Sequence, residues 1–266
     1  MTNAIGVCLV QMSRVFPKAP IPATVPISRA VSLVVPMFNE ERSVERFLDV
    51  AVPALESHAT EWEIVLVDDG STDGTVDLVE GRAADEPRIR ILVHAANRGL
   101  GGALRTGFSA ARHEWILYSD CDLPWDLAET GRLFRTAELT SADFVSAYRH
   151  DRTGEGAVRS LYSFLYNGLV HAVFGTVIRD VNFSCKLFRR ELLTGLTLRS
   201  EGSFIDAELL ARCAARGATI QQVGLDYFPR TRGVSTLSSP RVVFQILREM
   251  ASLAPEILSE RRAHRR

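Results

Sequence analysis

Residues 31–40 read Val31-Ser-Leu-Val-Val-Pro-Met-Phe-Asn-Glu40, an apolar, β-branched run that ends in proline and polar residues. A short run of this composition predicts a buried strand, and acids after it favour the first turn of a helix. The same pattern recurs at residues 63–71, where an apolar run ends in Asp68 and Asp69. Such strands, each followed by a helix, are typical of a parallel, doubly wound sheet.

Patterns typical of strands and of helices alternate along most of the chain. Strands are predicted at residues 31–35, 63–67, 89–93, 115–118, 143–147, 185–188 and 220–223. Helices are predicted at residues 40–57, 75–84, 101–111, 158–174, 204–216 and 242–257. The prediction is an α/β protein with a doubly wound, mostly parallel sheet, in which a regular first half (30–124) precedes a less regular second half (125–240). Residues 1–29 are expected to be a poorly structured extension, and 241–266 an amphipathic helix with a basic tail.

The overall composition limits the classes of function. The 266 residues are 46% hydrophobic and 24% charged, with a formal net charge of −1, so no general positive field favours nucleic acid. The four cysteines form no C-x-x-C pair, which argues against zinc or a disulfide framework and favours a cytoplasmic protein. Residues 160–178 carry no charge but contain several polar side chains, so a membrane-spanning helix is not expected there.

Acidic side chains follow the predicted strands at their carboxyl ends, where ligands bind in open α/β sheets. Asp120-Cys121-Asp122 ends the fourth strand, and residues two apart in an extended segment point the same way. Two carboxylates are suitable ligands for Mg²⁺ or Mn²⁺, which would neutralise charge on a leaving diphosphate. The sequence therefore predicts a metal and diphosphate site at Asp120 and Asp122, with Asp122 assigned a catalytic role.

Two groups of segments resemble a known family. The first group resembles the nucleotide-binding half of family 2 glycosyltransferases and comprises residues 31–40, 63–73, 97–107 and 115–123. The second resembles the dolichyl-phosphate mannose synthase group of polyprenyl-phosphate glycosyltransferases and comprises residues 149–163, 179–190, 204–210 and 230–237. The resemblance implies a GT-A fold with a Rossmann-like nucleotide-binding half (30–124) and an acceptor-binding half (125–240). It also implies a nucleotide-diphosphate sugar donor (GDP-mannose or a UDP-sugar), a divalent metal and inversion at the anomeric carbon.

The resemblance also implies roles for particular residues. Those expected around the donor nucleotide are Pro36, Phe38, Glu40, Asp68, Asp69, Arg98, Gly99 and Asp120. Those expected to hold acceptor phosphate or donor diphosphate are Arg149, Arg159, Ser163, Arg230, Arg232 and Ser235. Arginine suits this task because its planar fork binds phosphate oxygens in pairs. The chain departs from the family pattern at Pro124, where glutamine is common, and at Thr236, where lysine is common.

The acceptor decides whether a general base is needed. A phosphomonoester has a second pKa of about 6 and is already anionic at neutral pH, so it needs no strong base. A hydroxyl acceptor needs a carboxylate within reach, for which Asp206 and Glu208 are the candidates, although either residue also fits a structural ion pair. The preferred interpretation is transfer to a polyprenyl or dolichyl phosphate, with peripheral contact at the cytoplasmic face of a membrane. A soluble transferase acting on a sugar or natural-product hydroxyl and a non-catalytic nucleotide-sugar-binding module remain alternatives.

Overall fold

A computed structural model describes residues 27–151, 157–228 and 240–264, with the backbone alone at 157–159 and 240–241. Within these residues the chain alternates between strands and helices in a regular order. The strands are β1 (Ala30–Met37), β2 (Glu61–Asp68), β3 (Ile89–Val93), β4 (Trp115–Ser119), β5 (Phe144–Arg149), β6 (Cys185–Arg189) and β7 (Ile220–Leu225). The helices are α1 (Val44–His58), α2 (Thr75–Asp85), α3 (Gly99–Ala110), α4 (Thr130–Thr140), α5 (Ala157–Phe174), α6 (Ile205–Ala215) and α7 (Pro240–His264).

The strands form one sheet in the order β3-β2-β1-β4-β6-β5-β7. Strands β1 to β4 pair in parallel, as do β5 and β7, whereas β6 runs antiparallel to both of its neighbours. The predicted α/β class with a mostly parallel sheet is therefore confirmed. The carboxyl ends of β1, β2 and β4 meet at one edge, which brings the polar residues that follow them close together.

Helices cover both faces of this sheet, because successive residues of each strand point to opposite faces. Leu33 and Val35 of β1 face a core that also contains side chains of α1, α2 and α4. Val34 faces a second core, shared with α3, α5, α6 and α7. Helix α7 thus packs into the core of the domain.

Most of the predicted elements are present, with three differences. Helix α1 begins at Val44, four residues later than predicted, because Asn39 has a positive φ of 57° and Glu40 begins a turn. Helix α4 was not predicted, although Leu133, Phe134 and Ala137 give it a buried face. Helix α7 continues past Pro255 to His264. In the parts of the chain that the structure describes, no helix is both long and apolar enough to cross a membrane.

Candidate functional site

The end of β2 presents two buried carboxylates with different partners. Asp68 Oδ2 accepts hydrogen bonds from the backbone nitrogens of Gly70, at 3.1 Å, and Ser71, at 3.0 Å. Asp68 Oδ1 is buried and has no hydrogen-bond partner among the described residues. One oxygen of Asp68 therefore shapes the turn after β2, and the other is a candidate acceptor for a ligand.

Asp69 joins three segments of the site. Its Oδ1 atom lies 2.7 Å from Nδ1 of His94 and accepts from the backbone nitrogen of Arg98 at 2.8 Å. The other ring nitrogen of His94 lies 2.9 Å from Oγ1 of Thr106 on α3. The structure thus brings Asp69, Arg98 and Gly99 together, as expected from the sequence, and adds His94 as the group that fixes the Asp69 carboxylate.

Hydrogen bonds join the loop after β1 to the loop after β2. The backbone nitrogen of Asn39 donates to Oγ of Ser71 at 2.8 Å, and Asn39 Oδ1 accepts from the backbone nitrogen of Thr72 at 2.9 Å. These bonds hold Asn39 in its left-handed conformation. Two further expected residues border this loop: Phe38 is exposed, and Pro36 is half-buried at the end of β1. The loop thus presents an aromatic face beside the carboxylates of β2.

The start of α3 packs closely against the segment before α6. Gly99 has a φ of +76°, and a Cβ atom added there would lie 2.5 Å from the carbonyl oxygen of Glu201. At Gly101 an added Cβ would lie 2.0 Å from the carbonyl oxygen of Ser200, and the Gly101 nitrogen donates to the Glu201 carbonyl at 2.8 Å. Both positions therefore require glycine, which explains the glycine-rich start of this helix.

The acidic pair follows β4 directly. Asp120 and Asp122 are half-buried and line the same cavity, whereas Cys121 between them is 2% exposed and packs into the core. Cys121 and Asp122 lie in a turn, so the strand itself ends earlier than the pair. The expectation that the two carboxylates share one side is nevertheless met. Oδ1 of Asp120 accepts a hydrogen bond from the Tyr118 hydroxyl at 3.2 Å.

The surroundings of this pair fit a divalent cation. Burial raises the pKa of the Cys121 thiol well above its usual value, and the nearby carboxylates of Glu40, Asp122 and Asp120 raise it further. The local potential is therefore negative, and carboxylate oxygens are the ligands that Mg²⁺ and Mn²⁺ prefer. Among the described residues no three His, Cys, Asp or Glu side chains converge on one ion site. The donor set matches a cation that completes its coordination with phosphate and water.

The cavity beside the acidic pair has a volume of about 470 Å³. Its polar end contains Asp120 and Asp122, and its walls continue along α5 and α7. The wall residues of these two helices are mostly apolar or aromatic: Tyr162, Leu165, Tyr166, Leu169, Val243, Ile246 and Leu247. A cavity with one charged end and one apolar wall is suited to an amphiphilic ligand.

Arg149 and Ser163, two of the expected phosphate-binding residues, line this cavity. The Arg149 guanidinium forms a two-pronged ion pair with Asp180, in which Nε lies 2.6 Å from Oδ2 and Nη2 lies 2.8 Å from Oδ1. It also stacks near Phe183 and Tyr227, at 5.6 and 5.1 Å from the ring centroids. The side chain of Arg159 and the whole of Arg230, Arg232 and Ser235 lie outside the described residues.

The two candidate bases are both buried in ion pairs and do not line the cavity. Glu208 accepts from the backbone nitrogens of Arg199 and Ser200 and from Nε of Arg212, which leaves its carboxylate committed to holding this segment. Asp206 Oδ1 lies 2.6 Å from Nζ of Lys186. The placement of Glu208 does not support the sequence-based alternative of a base at that position, because its oxygens are already used.

Several residues reach the cavity that the sequence did not single out. Tyr118, Asp180 and Tyr227 line it, as do the residues of α7. Tyr118 had a usable signal, because it lies two residues before Asp120 and so faces the same side of the strand. Asp180 lies in a segment that resembles the family, but neither it nor Tyr227 was assigned a role, because neither follows a strand of the first half.

A family model for glycosyl transferase family 2 matches residues 32–196. The chain belongs to glycosyltransferase family 2. The enzyme class implied by the resemblance, a glycosyltransferase, is therefore confirmed. The match runs from β1 to β6 and includes the carboxyl ends of β1, β2 and β4 with the acidic pair.

Curated relatives of this glycosyltransferase include enzymes named for polyprenyl phosphates. Glycosyltransferase AglD of Haloferax volcanii is 32% identical over 75% of the chain, which spans 33% of that protein. Dodecaprenyl-phosphate galacturonate synthase of Rhizobium johnstonii is 29% identical over 85% of the chain. Undecaprenyl-phosphate 4-deoxy-4-formamido-L-arabinose transferase of Pseudomonas fluorescens is 30% identical over 86% of the chain. The chain spans 67% of each of these last two proteins.

Solved structures show the same fold at lower identity. Glucosyl-3-phosphoglycerate synthase from Mycobacterium tuberculosis, in complex with Mn²⁺, UDP-glucose and phosphoglyceric acid, has a TM-score of 0.65 and 22% identity. The superposition covers 85% of this chain and 80% of that one. The complex with Mn²⁺ and UDP-glucose alone gives a TM-score of 0.60 at 23% identity, over 84% of this chain and 79% of that one. The family 2 glycosyltransferase described here therefore has the GT-A fold.

Proposed function

We propose that this glycosyltransferase moves a hexose, with inversion, from a nucleotide-diphosphate sugar to a polyprenyl phosphate. The observation that carries the proposal is the cavity of about 470 Å³ with the acidic pair at one end and the apolar walls of α5 and α7 beside it. An acceptor with a charged head and a hydrocarbon chain matches both parts. Relatives named for dodecaprenyl and undecaprenyl phosphate support the same acceptor class.

The donor would bind at the edge formed by β1, β2 and β4. Asp68 and Asp69, with Arg98 and Gly99 beside them, would contact the base and ribose, and Phe38 would border the nucleotide. Pro36 and Glu40 complete this proposed pocket. Asp120 and Asp122 would hold Mg²⁺ or Mn²⁺, which supplies positive charge to the leaving diphosphate when bound.

The acceptor phosphate would lie between the acidic pair and the cavity wall that contains Arg149 and Ser163. Arg149 is held by Asp180, so its guanidinium is fixed before any ligand arrives, which lowers the cost of orienting it. Because a phosphomonoester is already anionic, the transfer needs no strong base. Burial of Asp206 and Glu208 in ion pairs agrees with a reaction of this kind.

Peripheral contact with a membrane would bring the lipid to the cavity. Apolar side chains of α5 and α7 point into solvent, among them Phe164, 73% exposed, and Phe244, 68% exposed. A face of this kind, continuous with the cavity wall, is suited to the interface of a bilayer. We place the enzyme at the cytoplasmic surface of a membrane, with 30–124 as the donor half, 125–240 as the acceptor half and 241–266 as helix and tail.

The test uses the purified full chain with Mg²⁺ or Mn²⁺, a panel of radiolabelled nucleotide-diphosphate hexoses and a polyprenyl phosphate. Label extracted into organic solvent measures transfer to lipid. We expect extractable label with wild type and with Asp77→Asn, an exposed carboxylate on α2, and none with Asp122→Asn. The sugar that gives the label identifies the donor.

Two other outcomes would overturn the proposal. Metal-dependent release of nucleoside diphosphate without extractable label would move the acceptor to a water-soluble hydroxyl. Neither transfer nor release with any donor would favour a module that binds nucleotide-sugars without turning them over.

A further inference from the structure

Lys186 and Asp206 form a buried ion pair beside Tyr118, a residue that lines the cavity. The proposed reaction gives this pair no role. Lys186 is 0% exposed and Asp206 is 3% exposed, and Lys186 Nζ also donates to the carbonyl oxygen of Phe183 at 2.7 Å. Buried ion pairs contribute little net stability, because the cost of removing both charges from water offsets their attraction. The position of this pair is therefore better explained by its effect on neighbouring groups.

The sheet places Lys186 directly opposite Tyr118. Strands β4 and β6 are antiparallel, and their register makes Tyr118 and Lys186 partners, so both side chains lie on the same face. Lys186 Nζ lies 5.4 Å from the centroid of the Tyr118 ring, within the range of a cation–π interaction. The Tyr118 hydroxyl in turn donates to Oδ1 of Asp120. A chain of contacts thus connects the buried ammonium group to the acidic pair.

The negative charge of Asp206 explains how a buried ammonium group can lie behind Tyr118 without drawing Asp120 out of the cavity wall. A lysine ammonium alone behind Tyr118 would attract the Asp120 carboxylate away from the cavity. With Asp206 as its counter-charge at 2.6 Å, Lys186 keeps its contact with the Tyr118 ring but offers little net charge to Asp120. Asp120 therefore accepts the Tyr118 hydroxyl hydrogen bond while it lines the cavity.

We propose that Lys186 is a positioning residue for the acidic pair, which acts through Tyr118 and has Asp206 as its counter-charge. The inference rests on the proposed function in one respect, since it takes Asp120 as one of the carboxylates that hold the divalent cation. Partners that orient a metal ligand affect metal affinity by about 10-fold to 100-fold when they are removed. Loss of Lys186 should therefore weaken metal binding even though the residue touches no ligand.

The experiment measures Mn²⁺ affinity in the presence of UDP or GDP, from the electron paramagnetic resonance signal of free Mn²⁺. The paired variant Lys186→Met with Asp206→Asn removes both charges and leaves neither partner uncompensated. Its Mn²⁺ affinity should fall about 10-fold, with a cooperative thermal unfolding transition retained. Tyr118→Phe, which keeps the ring but removes the hydroxyl, should weaken Mn²⁺ binding as well.

The decisive comparison combines these changes. If Lys186 acts through Tyr118, adding Tyr118→Phe to the paired variant should cause no further loss, because both changes break the same chain of contacts. As a matched control, Arg82→Met with Asp49→Asn removes a surface ion pair on α2 and α1 and should leave Mn²⁺ affinity unchanged. Fully additive losses would overturn the inference.

Two further outcomes separate this inference from the proposed function. Wild-type Mn²⁺ affinity in the folded paired variant or in Tyr118→Phe would overturn the positioning role and leave the proposed function intact. A wild-type protein that bound no Mn²⁺ with either nucleotide would overturn both the metal site and this inference. The acceptor is absent from the measurement, so an error in the acceptor class cannot produce either result.

Discussion

The proposed donor-side edge, at the carboxyl ends of β1, β2 and β4, and the α5–α7 wall of the cavity differ in how firmly their side chains are held. At the edge, Asp68 and Asp69 are fixed by backbone nitrogens and by His94. Along the wall, exposed apolar side chains such as Phe164 and Phe244 point outward from two helices. A charged ligand is best stabilised by groups already aligned before it binds, whereas a hydrocarbon chain needs only apolar area. Substitutions should therefore have abrupt effects at the edge and graded effects along the wall.

The largest effect is expected at the acidic pair. Asp120→Asn keeps the shape but removes one charge, and should lower kcat/KM by about 100-fold or more, in line with other losses of electrostatic stabilisation. Initial rates as a function of Mn²⁺ concentration check this, and Asp77→Asn should match wild type. A loss smaller than about 3-fold would contradict the abrupt response expected at the edge.

Glycine-to-alanine changes compare the stability of the two regions with the same added atom. At Gly101 the new Cβ would collide with the Ser200 carbonyl, so the free energy of unfolding should fall by about 1–3 kcal/mol. At Gly168 in α5 nothing lies within 4 Å of an added Cβ. The higher helix propensity of alanine should therefore raise the free energy of unfolding by about 1 kcal/mol. Urea unfolding measures the change in the free energy of unfolding for each variant. Changes of the same sign in both variants would contradict the expected difference between the two regions.

Exposed aromatic residues of the wall should affect binding without affecting folding. Phe164→Ser should weaken binding to anionic vesicles by about 10-fold, because burial of a phenyl group contributes roughly 1.5–3 kcal/mol. Leu139→Ser, an exposed residue on α4 at the opposite face, is the matched control and should bind like wild type. Vesicle sedimentation measures the affinity, and an equal loss in both variants would show that the wall has no special role.

The smallest effect concerns pH. Burial raises the pKa of the Asp206 carboxyl from 3.8 to about 6, with Lys186 opposing the shift. The folded protein therefore binds this proton more tightly than the unfolded chain, so the contribution of Asp206 to the free energy of unfolding should decrease as pH rises from 3.8 to about 6. Urea unfolding across this window should show that slope in wild type but not in the paired Lys186 and Asp206 variant. The same slope in both proteins would assign it to other groups.

Sequence patterns were enough to predict that the carboxylates after β1, β2 and β4 converge, because they follow strands that are neighbours in a parallel sheet. Once β1, β2 and β4 were placed, the sheet itself brought Asp69, Asp120 and Asp122 to one edge. The GT-A fold and the family followed from the same segments and were confirmed. The resemblance implied that Asp69 and Arg98 both lie around the donor nucleotide, but their hydrogen bond and the part played by His94 required the structure.

The part of the site formed by β6, α5, α6 and α7 was harder to predict, because its contacts join distant parts of the chain. The pairing of Lys186 with Tyr118 depends on β6 lying antiparallel beside β4, which no local pattern of β6 indicates. The cavity needs α7 to lie beside α5, and the packing of α7 into the core is a tertiary effect. Glu208 was considered as a base on position alone, whereas its bonds to Arg199, Ser200 and Arg212 depend on the folded segment.

The fit of Gly99 and Gly101 against residues 200–201 has a consequence for evolution and for engineering. The start of α3 belongs to the proposed donor half, while the segment it touches is held by Glu208 of the proposed acceptor half. A chimera that joins one enzyme's donor half to another's acceptor half must therefore preserve both the glycines and the length of that segment. Exchange of whole halves is therefore constrained at this one contact, whereas substitutions elsewhere in either half leave it intact.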